Sequence, residues 1–283
     1  MQILSSKPVI ESMEVELRER VRKFHARAGR FPKLSVVLVG EDPASVIYTT
    51  NKGKRAVSLG MEHESIHMPA SATPAEVLRE IQRLNADRTV DGILIQRPFP
   101  RAGGFHEEET VYWVNPEKDV DAFHPENTGR LSLGLPCFQP CTPAGVMEIL
   151  RHYGISVAGK TACVIGRSSI VGKPMAALLL QADATVIQAH SRTHDLASMT
   201  RQADILVVAA GKMGLVGREH VKSGAVVVDV GIHRNAEGKV CGDVRADEMP
   251  GVASAFTPVP GGVGPMTIAL LMKNTVLAAE KRG

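Results

Sequence analysis

Tyr48 and Lys52 are the first residues whose types and spacing indicate chemistry. They lie four positions apart in a segment with helical periodicity, so both belong to one face of the predicted helix. A Lys that loses part of its solvation can release its proton near neutral pH, and Tyr–Lys pairs recur in acid/base catalysis. A Tyr ring packed over a Lys side chain on the protein surface has the same spacing, so the pair alone leaves both interpretations open.

A second set of polar residues follows the apolar run Asp91–Gln96. Gln96 ends this predicted strand, and parallel sheets bind their ligands at the carboxyl ends of strands. Gln96 could therefore bond a substrate or the Lys52 ammonium, or it could simply end the strand. Asp119 and Asp121 come later in a loop, where they could bind a polar heterocycle or cap a turn. Since no His or Cys stands nearby at metal-ligand spacing, we expect no metal site.

The glycine-containing loop Gly166–Pro174 is predicted to connect a strand to a helix. Glycines let backbone N–H groups approach a phosphate, and a helix N-terminus favours an anion. An Asp or Glu that binds a free ribose 2′-hydroxyl is expected ~20 residues later, but positions 189–193 carry no carboxylate. Arg167, Ser191 and Arg192 could instead hold a 2′-phosphate, which favours NADP over NAD. The alternatives are a tight turn without a ligand and a solvated Arg192.

The segment Thr257–Thr267 contains three Gly and three Pro and leads into the last predicted helix. Proline makes such a loop stiff, and glycine leaves its backbone N–H groups accessible. This combination favours a ligand-binding loop over a plain linker.

Alternating strands and helices must position these residues. The predicted strands are Leu34–Val39, Glu62–Met68, Asp91–Gln96, Thr161–Ile165, Thr185–Gln188, Ile205–Val208 and Ala225–Val230. The predicted helices cover about Val9–Ala28, Pro43–Leu59, Pro74–Asn85, Pro143–Tyr153, Gly172–Ala182, His194–Gln202 and Met266–Ala279. Repeated strand–helix–strand units predict an α/β fold with parallel sheets covered by helices on both faces. Residues 97–140 are predicted to form loops with a short helix.

Length and composition exclude several classes of protein. A chain of 283 residues suggests two domains, and 44% hydrophobic with 22% charged residues is ordinary for a globular protein. The net charge of +3 hides a basic half, residues 151–283 with 15 basic and 10 acidic side chains, but this excess is too dilute for a nucleic-acid-binding surface. No apolar run approaches the ~20 residues of a membrane span, and the first ten residues lack the apolar core of a signal peptide. Four cysteines make a disulfide scaffold improbable, so we expect a cytoplasmic location.

Taken together, the motifs resemble those of the bifunctional methylenetetrahydrofolate dehydrogenase/methenyltetrahydrofolate cyclohydrolase family. They occur in the order of that family: Tyr48-x3-Lys52, Asp91–Gln96, Pro116–Asp121, Pro140–Pro143, Gly166–Pro174, His190–Thr193, Asp229–Ile232 and Thr257–Thr267. The resemblance implies oxidation of 5,10-methylenetetrahydrofolate with NADP+, followed by hydrolysis of the methenyl product to 10-formyltetrahydrofolate. It places the chain in one-carbon metabolism and purine biosynthesis.

The resemblance also implies an architecture. Residues 1–140 with 266–283 would form a folate-binding catalytic domain, and residues 141–265 a Rossmann-like NADP-binding domain, with the folate cleft between them. The family resemblance further implies a homodimer, with no nucleic-acid or membrane partner.

Residue roles follow from the matching motifs. In the catalytic domain, Lys52 would be the general acid/base, Tyr48 would orient or stack on the folate, Gln96 would tune Lys52, and Asp121 would anchor the pterin. The residues expected to contact NADP are Gly166, Arg167, Ser168, Ser191 and Ile232, joined by Arg192 from the loop argument above. The residues expected to line the folate pocket are Pro258, Gly261 and Gly262.

The chain departs from the family pattern at two positions. Arg97 stands where the family usually has Leu, and Ala122 stands where it usually has Gly, which matters if that position needs a positive φ. We expect Arg97 to meet an anionic part of the substrate or to perturb Lys52. Retention of only one of the two folate activities stays open on sequence alone, and so do two other functions. A nicotinamide-dependent dehydrogenase of a small acid would leave Tyr48, Lys52 and Gln96 unused, and a binding module without turnover would not need Lys52.

Overall fold

Two parallel sheets organise the chain, and each belongs to its own compact unit. The computed structural model describes residues 1–100 and 103–283. The small-sheet unit consists of Met13–Arg130, Pro136–Gln139 and Leu271–Gly283. The large-sheet unit consists of Met1–Ser12, Leu131–Leu135 and Pro140–Leu270. The predicted two-domain α/β fold is confirmed, whereas the domain limits at residues 140 and 266 stay a prediction.

The small-sheet unit is built around three parallel strands, whose spatial order is Glu62–Met68, Lys33–Val39 and Gly92–Gln96. Its elements, in chain order, are α1 (Ser6–Ala28, which begins in the other unit), β2 (Lys33–Val39), α2 (Pro43–Ser58), β3 (Glu62–Met68), α3 (Pro74–Ala86), β4 (Gly92–Gln96), α4 (Glu107–Thr110) and α5 (Pro125–Ser132). Leu38 pairs with Gln96, so β2 and β4 end together at their carboxyl ends.

Two helices of this unit begin where the sequence places their caps. The Asp42 carboxylate accepts a hydrogen bond from the Ser45 backbone N–H at 2.8 Å, and Pro43 is the first residue of α2. Thr73 and Glu76 form a reciprocal capping box at the start of α3. These caps fix the register of α2, which carries Tyr48 and Lys52.

The large-sheet unit contains six strands, each parallel to its neighbours, and their spatial order is Gln2–Ile3, Ala255–Phe256, Val226–Asp229, Ile205–Val208, Thr161–Ile165 and Thr185–Ala189. Its elements are β1 (Gln2–Ile3), α6 (Cys141–His152), β5 (Thr161–Ile165), α7 (Gly172–Gln181), β6 (Thr185–Ala189), α8 (Leu196–Thr200), β7 (Ile205–Val208), β8 (Val226–Asp229), β9 (His233–Arg234), β10 (Val240–Cys241), β11 (Ala255–Phe256) and α9 (Val263–Arg282, which ends in the other unit). Strands β9 and β10 form a separate antiparallel pair. Short 3-10 helices occupy Arg218–His220 and Ala246–Glu248.

Some predicted elements differ from the observed ones. The predicted helix His194–Gln202 is reduced to α8, because Asp195 adopts a left-handed φ of 46° and caps the helix through the Ser198 N–H. The last helix is longer than predicted at both ends. Strands β1, β9, β10 and β11 were not predicted, since two residues carry too little pattern to identify a strand.

Within the described residues, no helix has the length and apolar character needed to cross a membrane.

Candidate active site

The side chains of Lys52 and Gln96 meet directly. Lys52 lies on α2, and its Nζ donates a hydrogen bond to Gln96 Oε1 at 2.8 Å. Gln96 Nε2 in turn donates to the Arg97 backbone carbonyl at 2.7 Å, which fixes the orientation of the amide. Of the options left open by the sequence, the structure shows the hydrogen bond from Lys52 to Gln96. A half-buried Lys with its Nζ held in one direction is suited to proton transfer.

Tyr48 lies one turn before Lys52 on α2, and its side chain is 45% exposed. An exposed aromatic ring of this kind is available for stacking against a planar ligand. Tyr48, Lys52 and Gln96 therefore belong to one region of the small-sheet unit. Their assigned roles toward folate stay predictions.

Asp119 and Asp121 have different surroundings although they are two residues apart. Asp119 is buried, and its Oδ2 accepts hydrogen bonds from the His124 backbone N–H at 2.8 Å and from Asn127 Nδ2 at 3.0 Å. Burial raises the pKa of Asp119 above its usual range. Asp119 thus stabilises the turn, which was one of the two roles considered for the pair. Asp121 lies within the same turn and is only half-buried.

Lys118 is a structural residue that the sequence analysis did not single out. Its Nζ donates hydrogen bonds to the backbone carbonyls of Leu84 at 2.8 Å, Asn85 at 2.8 Å and Asp87 at 2.6 Å. These carbonyls lie at the end of α3, where a helix leaves acceptors without partners. Burial lowers the pKa of Lys118 to about 8, so the ammonium with its three donors still predominates at neutral pH. Lys118 therefore ties the loop that carries Asp121 to α3.

The two departures from the family pattern lie close together. Ala122 is buried and has a φ of 62°, the left-handed region in which a Cβ is unfavourable. The Arg97 guanidinium lies over the ring of Phe123 at 5.9 Å, and its Nη2 lies 3.4 Å from Thr110 Oγ1. The strain expected for Ala at this position is thus present. The expected effect of Arg97 on substrate or on Lys52 stays a prediction.

The loop from Gly166 to Gly172 makes a turn that requires glycine at both ends. Gly166 has a φ of 123°, and a Cβ there would lie 2.1 Å from the Ala209 carbonyl oxygen. A Cβ at Gly172 would lie 2.2 Å from the Gly166 carbonyl oxygen. Ser168 Oγ accepts hydrogen bonds from the Val171 and Gly172 N–H groups at 3.2 and 3.3 Å, so this hydroxyl also caps α7. The backbone can therefore approach a ligand as closely as the glycine pattern predicted.

A cavity of about 490 Å³ opens beside this loop. Its lining includes Gly166, Arg167, Ser168 and Ser191, so four of the residues predicted to contact NADP lie around one space. Lys212 also lines the cavity, whereas no carboxylate does among the described residues. The two cations, Arg167 and Lys212, and the hydroxyl groups of the lining Ser and Thr side chains are suited to binding a phosphorylated ligand.

Arg192 and Ile232 do not line this cavity. Arg192 follows Ser191 and is exposed, and its backbone N–H donates to His190 Nδ1 at 3.1 Å. Ile232 is 52% exposed and lines a second, smaller cavity of about 80 Å³ together with Pro258, Gly261 and Gly262. Ile232 was predicted with the NADP residues, and the other three with the folate pocket. The structure therefore places one predicted NADP contact beside the predicted folate loop.

The folate-assigned loop is itself tightly constrained. The Val259–Pro260 peptide bond is cis, and Gly261 has a φ of 100°. A Cβ at Gly262 would lie 2.4 Å from the Pro258 carbonyl oxygen, so this position requires glycine.

Sequence reasoning missed Lys212, although a signal was present. Lys212 follows β7 beyond its carboxyl end, close to the position that drew attention to Gln96, the last residue of β4. Among the described residues, no group of three His, Cys, Asp or Glu side chains is arranged to hold a metal ion.

Comparisons with known proteins cover almost the whole chain. Residues 4–121 match the family model of the tetrahydrofolate dehydrogenase/cyclohydrolase catalytic domain, and residues 140–283 match the NAD(P)-binding domain of the same family. The bifunctional protein FolD of Synechococcus sp. (strain WH7803) is 53% identical over 279 residues, covering 99% of this chain and 94% of that protein. The homologue from Lactococcus lactis subsp. cremoris (strain MG1363) is 49% identical over 282 residues, covering 100% of this chain and 98% of that protein.

Solved structures agree with these matches. The bifunctional FolD enzyme of Campylobacter jejuni has a TM-score of 0.97 and 44% identity, and the match covers 100% of both chains. The dehydrogenase-cyclohydrolase of Trypanosoma brucei, complexed with NADP cofactor and inhibitor, has a TM-score of 0.92 and 37% identity. That match covers 99% of this chain and 97% of that one.

Proposed function

Because the chain belongs to the tetrahydrofolate dehydrogenase/cyclohydrolase family, we propose that it is a bifunctional enzyme of folate chemistry. It oxidises 5,10-methylenetetrahydrofolate to the 5,10-methenyl form with NADP+, and it hydrolyses the methenyl form to 10-formyltetrahydrofolate. The observation that carries this function is the hydrogen bond of 2.8 Å from Lys52 Nζ to Gln96 Oε1. A dehydrogenase of a small acid would have no use for this pair.

The cavity beside Gly166 fits NADP. The two constrained glycines allow the loop backbone to approach a pyrophosphate, which the N-terminus of α7 stabilises through its dipole. Arg167, Ser191 and the exposed Arg192 would hold the 2′-phosphate, and the absence of a lining carboxylate among the described residues disfavours NAD. When bound, NADP+ supplies the hydride acceptor.

For the oxidation, the task of this chain is to hold the folate in one orientation. The folate nitrogens supply the electron push that releases hydride from the methylene carbon, so the enzyme gains most from positioning the reactants. We assign the stacking role to Tyr48 and the pterin anchor to Asp121. Pro258, Gly261 and Gly262 would contribute a rigid wall to the folate pocket, which the constrained geometry of Gly262 supports.

For the hydrolysis, Lys52 moves the protons. Water adds to the electrophilic methenyl carbon, and the Lys52 amine takes the proton that the water loses as the C–O bond forms. The resulting ammonium returns a proton to N5 as the C–N5 bond breaks, and the hydroxyl oxygen releases its remaining proton to solvent as the C=O bond forms, which leaves the formyl group on N10. Gln96 keeps Lys52 Nζ in place during both transfers.

An assay with tetrahydrofolate and formaldehyde tests this function. Purified protein is supplied with NADP+ or NAD+ in parallel, and the reaction is followed at the NADPH absorbance and at the methenyl absorbance. Reduction with NADP+ and decay of added methenyltetrahydrofolate are expected. Reduction with simple hydroxy acids but not with the folate would contradict the proposal.

We also propose the cellular setting and the assembly. The chain has only four cysteines in 283 residues, which supports a reducing compartment such as the cytoplasm. The product 10-formyltetrahydrofolate would supply one-carbon units to purine biosynthesis. The chain would act as a homodimer, with residues 1–140 and 266–283 as the catalytic domain and residues 141–265 as the NADP-binding domain. Light scattering of the purified protein tests the dimer.

A further inference from the structure

Asp243 is a fully buried carboxylate that has no role in the chemistry described above. Its Oδ2 accepts hydrogen bonds from the backbone N–H groups of Ala210 at 2.7 Å and Gly211 at 2.9 Å. Its Oδ1 lies 2.7 Å from His233 Nε2. A single side chain therefore joins two segments that are distant in sequence, one after β7 and one at β9.

Both segments belong to the walls of the two cavities. Ala210 lines the cavity of about 490 Å³, as do Ala209 before it and Lys212 after it. Ile232, which precedes His233, lines the cavity of about 80 Å³. Asp243 itself lines neither cavity. Its carboxylate therefore holds the lining segments through their backbone and through His233, on the side away from the cavities.

A second buried carboxylate holds Asp243 in place. Asp229 Oδ1 accepts hydrogen bonds from the backbone N–H groups of Asp243 at 3.0 Å and Gly231 at 2.9 Å, and Asp229 Oδ2 accepts one from Val244 at 3.0 Å. Buried carboxylates that accept several N–H bonds are fixed in position, because losing a partner leaves a buried polar group unsatisfied.

Packing around the two carboxylates leaves no room for adjustment. A Cβ at Gly231 would lie 2.5 Å from Asp243 Cγ, and a Cβ at Gly242 would lie 1.9 Å from Asp229 Oδ2. The backbone also joins the segments, since the Val216 N–H donates to the Asp243 carbonyl at 3.0 Å. The wall that contains Ala210 is thus fixed to the segment that carries Asp243.

We propose that Asp243 is a positioning residue for the nicotinamide cofactor, acting through the Ala210–Gly211 backbone and through His233. This inference rests on the proposed function, since it takes the larger cavity as the NADP site. Support from behind a binding surface keeps the contacting groups within a few tenths of an ångström of their working geometry. Loss of Asp243 should therefore weaken NADP binding and leave the hydrolysis, which consumes no nicotinamide, intact.

The test compares NADPH binding with hydrolysis in the same variants of the full chain. Binding is measured by fluorescence titration with NADPH, and hydrolysis by the decay of methenyltetrahydrofolate. Asp243→Ala is expected to raise the Kd for NADPH by about tenfold, the effect of losing one or two hydrogen bonds to a charged group. Its hydrolysis rate should stay within about twofold of the wild type. Asp243→Asn has the same shape and one oxygen to accept from Ala210 and Gly211, so it should restore most of the binding.

Asp204→Ala is the matched control. Like Asp243, Asp204 accepts a hydrogen bond from a backbone N–H, that of Thr161, at 3.0 Å. It precedes β7, however, whereas the cavity-lining Ala209 follows β7 at the other end of the strand. Its loss should leave the Kd for NADPH unchanged. If Asp243→Ala does not fold, His233→Leu decides, because His233 is partly exposed and its replacement leaves the amide contacts of Asp243 in place. An increase of about threefold in the Kd for NADPH is expected from this variant, smaller than that of Asp243→Ala, because the bonds from Ala210 and Gly211 to Asp243 remain.

A wild-type Kd for NADPH in Asp243→Ala would overturn the inference. Equal losses of hydrolysis and NADPH binding in Asp243→Ala and in His233→Leu would also overturn it. A failure of the proposed function would be seen in the wild-type protein and not only in the variants. In that case the wild-type protein itself would neither bind NADPH nor convert the folate, and both proposals would fall together.

Discussion

Lys52 and Gln96 are 44 residues apart in sequence, yet their side chains form a hydrogen bond of 2.8 Å. The contact exists because α2 follows β2, and β4 pairs with β2 so that Gln96 lies opposite Leu38 at the carboxyl end of the sheet. The fold thus brings a proton-transfer group and the amide that orients it to one edge of the small sheet.

Replacing Gln96 by Met should slow hydrolysis and spare folding. The variant keeps the length of the side chain and removes the oxygen that accepts from Lys52 Nζ. Hydrogen bonds to charged groups contribute about 1.5–3 kcal/mol, so kcat for hydrolysis should fall by about tenfold or more. Steady-state decay of methenyltetrahydrofolate measures the effect. Gln82→Met, at an exposed position of α3, is the matched control. Equal rates in the two variants would exclude a role for Gln96.

Removing the guanidinium groups of Arg167 and Arg192 should change the cofactor preference. In the double variant Arg167→Ala/Arg192→Ala, the 2′-phosphate loses its cationic partners, whereas NAD+ has no such group to lose. KM for NADP+ should rise by about tenfold or more while KM for NAD+ stays nearly constant. Lys160→Ala, at an exposed position of the same unit, controls for the loss of surface charge. Equal increases in both KM values would refute the 2′-phosphate interpretation.

Reverting Ala122 to Gly should stabilise the protein. The φ of 62° costs an L-residue about 1–2 kcal/mol, and glycine adopts it freely. Loss of a buried methyl group and greater chain entropy offset part of the gain, so a net increase of about 0.5–1 kcal/mol in the free energy of unfolding is expected. Urea denaturation measures it.

The control for this reversion is an Ala→Gly change that is expected to lower the free energy of unfolding. Ala26→Gly, at an exposed position inside α1, should lower the free energy of unfolding by about 1 kcal/mol. A loss of stability in Ala122→Gly would show that the methyl group matters more than the backbone strain. Relief of strain beside Asp121 should also lower the folate KM.

Lys118→Met should destabilise the fold. Three carbonyl groups at the end of α3 would lose their donor, and unsatisfied buried groups cost about 1–3 kcal/mol each. We expect the free energy of unfolding to fall by about 2–3 kcal/mol, since water can reach part of the exposed helix end. Lys239→Met, at an exposed position, should have little effect.

The lowered pKa of Lys118 predicts that the free energy of unfolding depends on pH. Burial lowers the pKa of Lys118 from 10.5 to about 8 in the native protein, so between these pH values the unfolded chain binds more protons than the native one. The free energy of unfolding contributed by Lys118 therefore rises with pH from about 8 to 10.5 and is constant below that window. The stability difference between wild type and Lys118→Met should widen as the pH is raised through this range. A difference that narrows there would contradict the account.

The sequence predicted those features that depend on local pattern. The Asp42–Pro43 cap and the apolar runs of β2 and β4 sufficed to place Tyr48, Lys52 and Gln96 correctly, because parallel strands share one ligand-binding edge. The two glycines of the cofactor loop were likewise predicted from their position between a strand and a helix.

Features that depend on particular side-chain contacts outside the strand–helix pattern could not be predicted. Spacing does not distinguish Asp119, which stabilises a turn, from Asp121, because the difference arises from Asn127 and His124 in space. The location of Ile232 beside the Pro258 loop depends on how β8 and β11 pair. The carboxylates of Asp229 and Asp243 find their partners only in the folded chain.

Lys52→Met provides the most direct test of the central claim. The variant is assayed for hydrolysis of methenyltetrahydrofolate and, in the same preparation, for binding of the folate and of NADPH. We predict that hydrolysis is lost while both ligands bind with nearly wild-type affinity, because the variant removes the group that transfers protons and leaves the surrounding contacts in place. Hydrolysis at the wild-type rate would contradict the account and remove Lys52 from the mechanism.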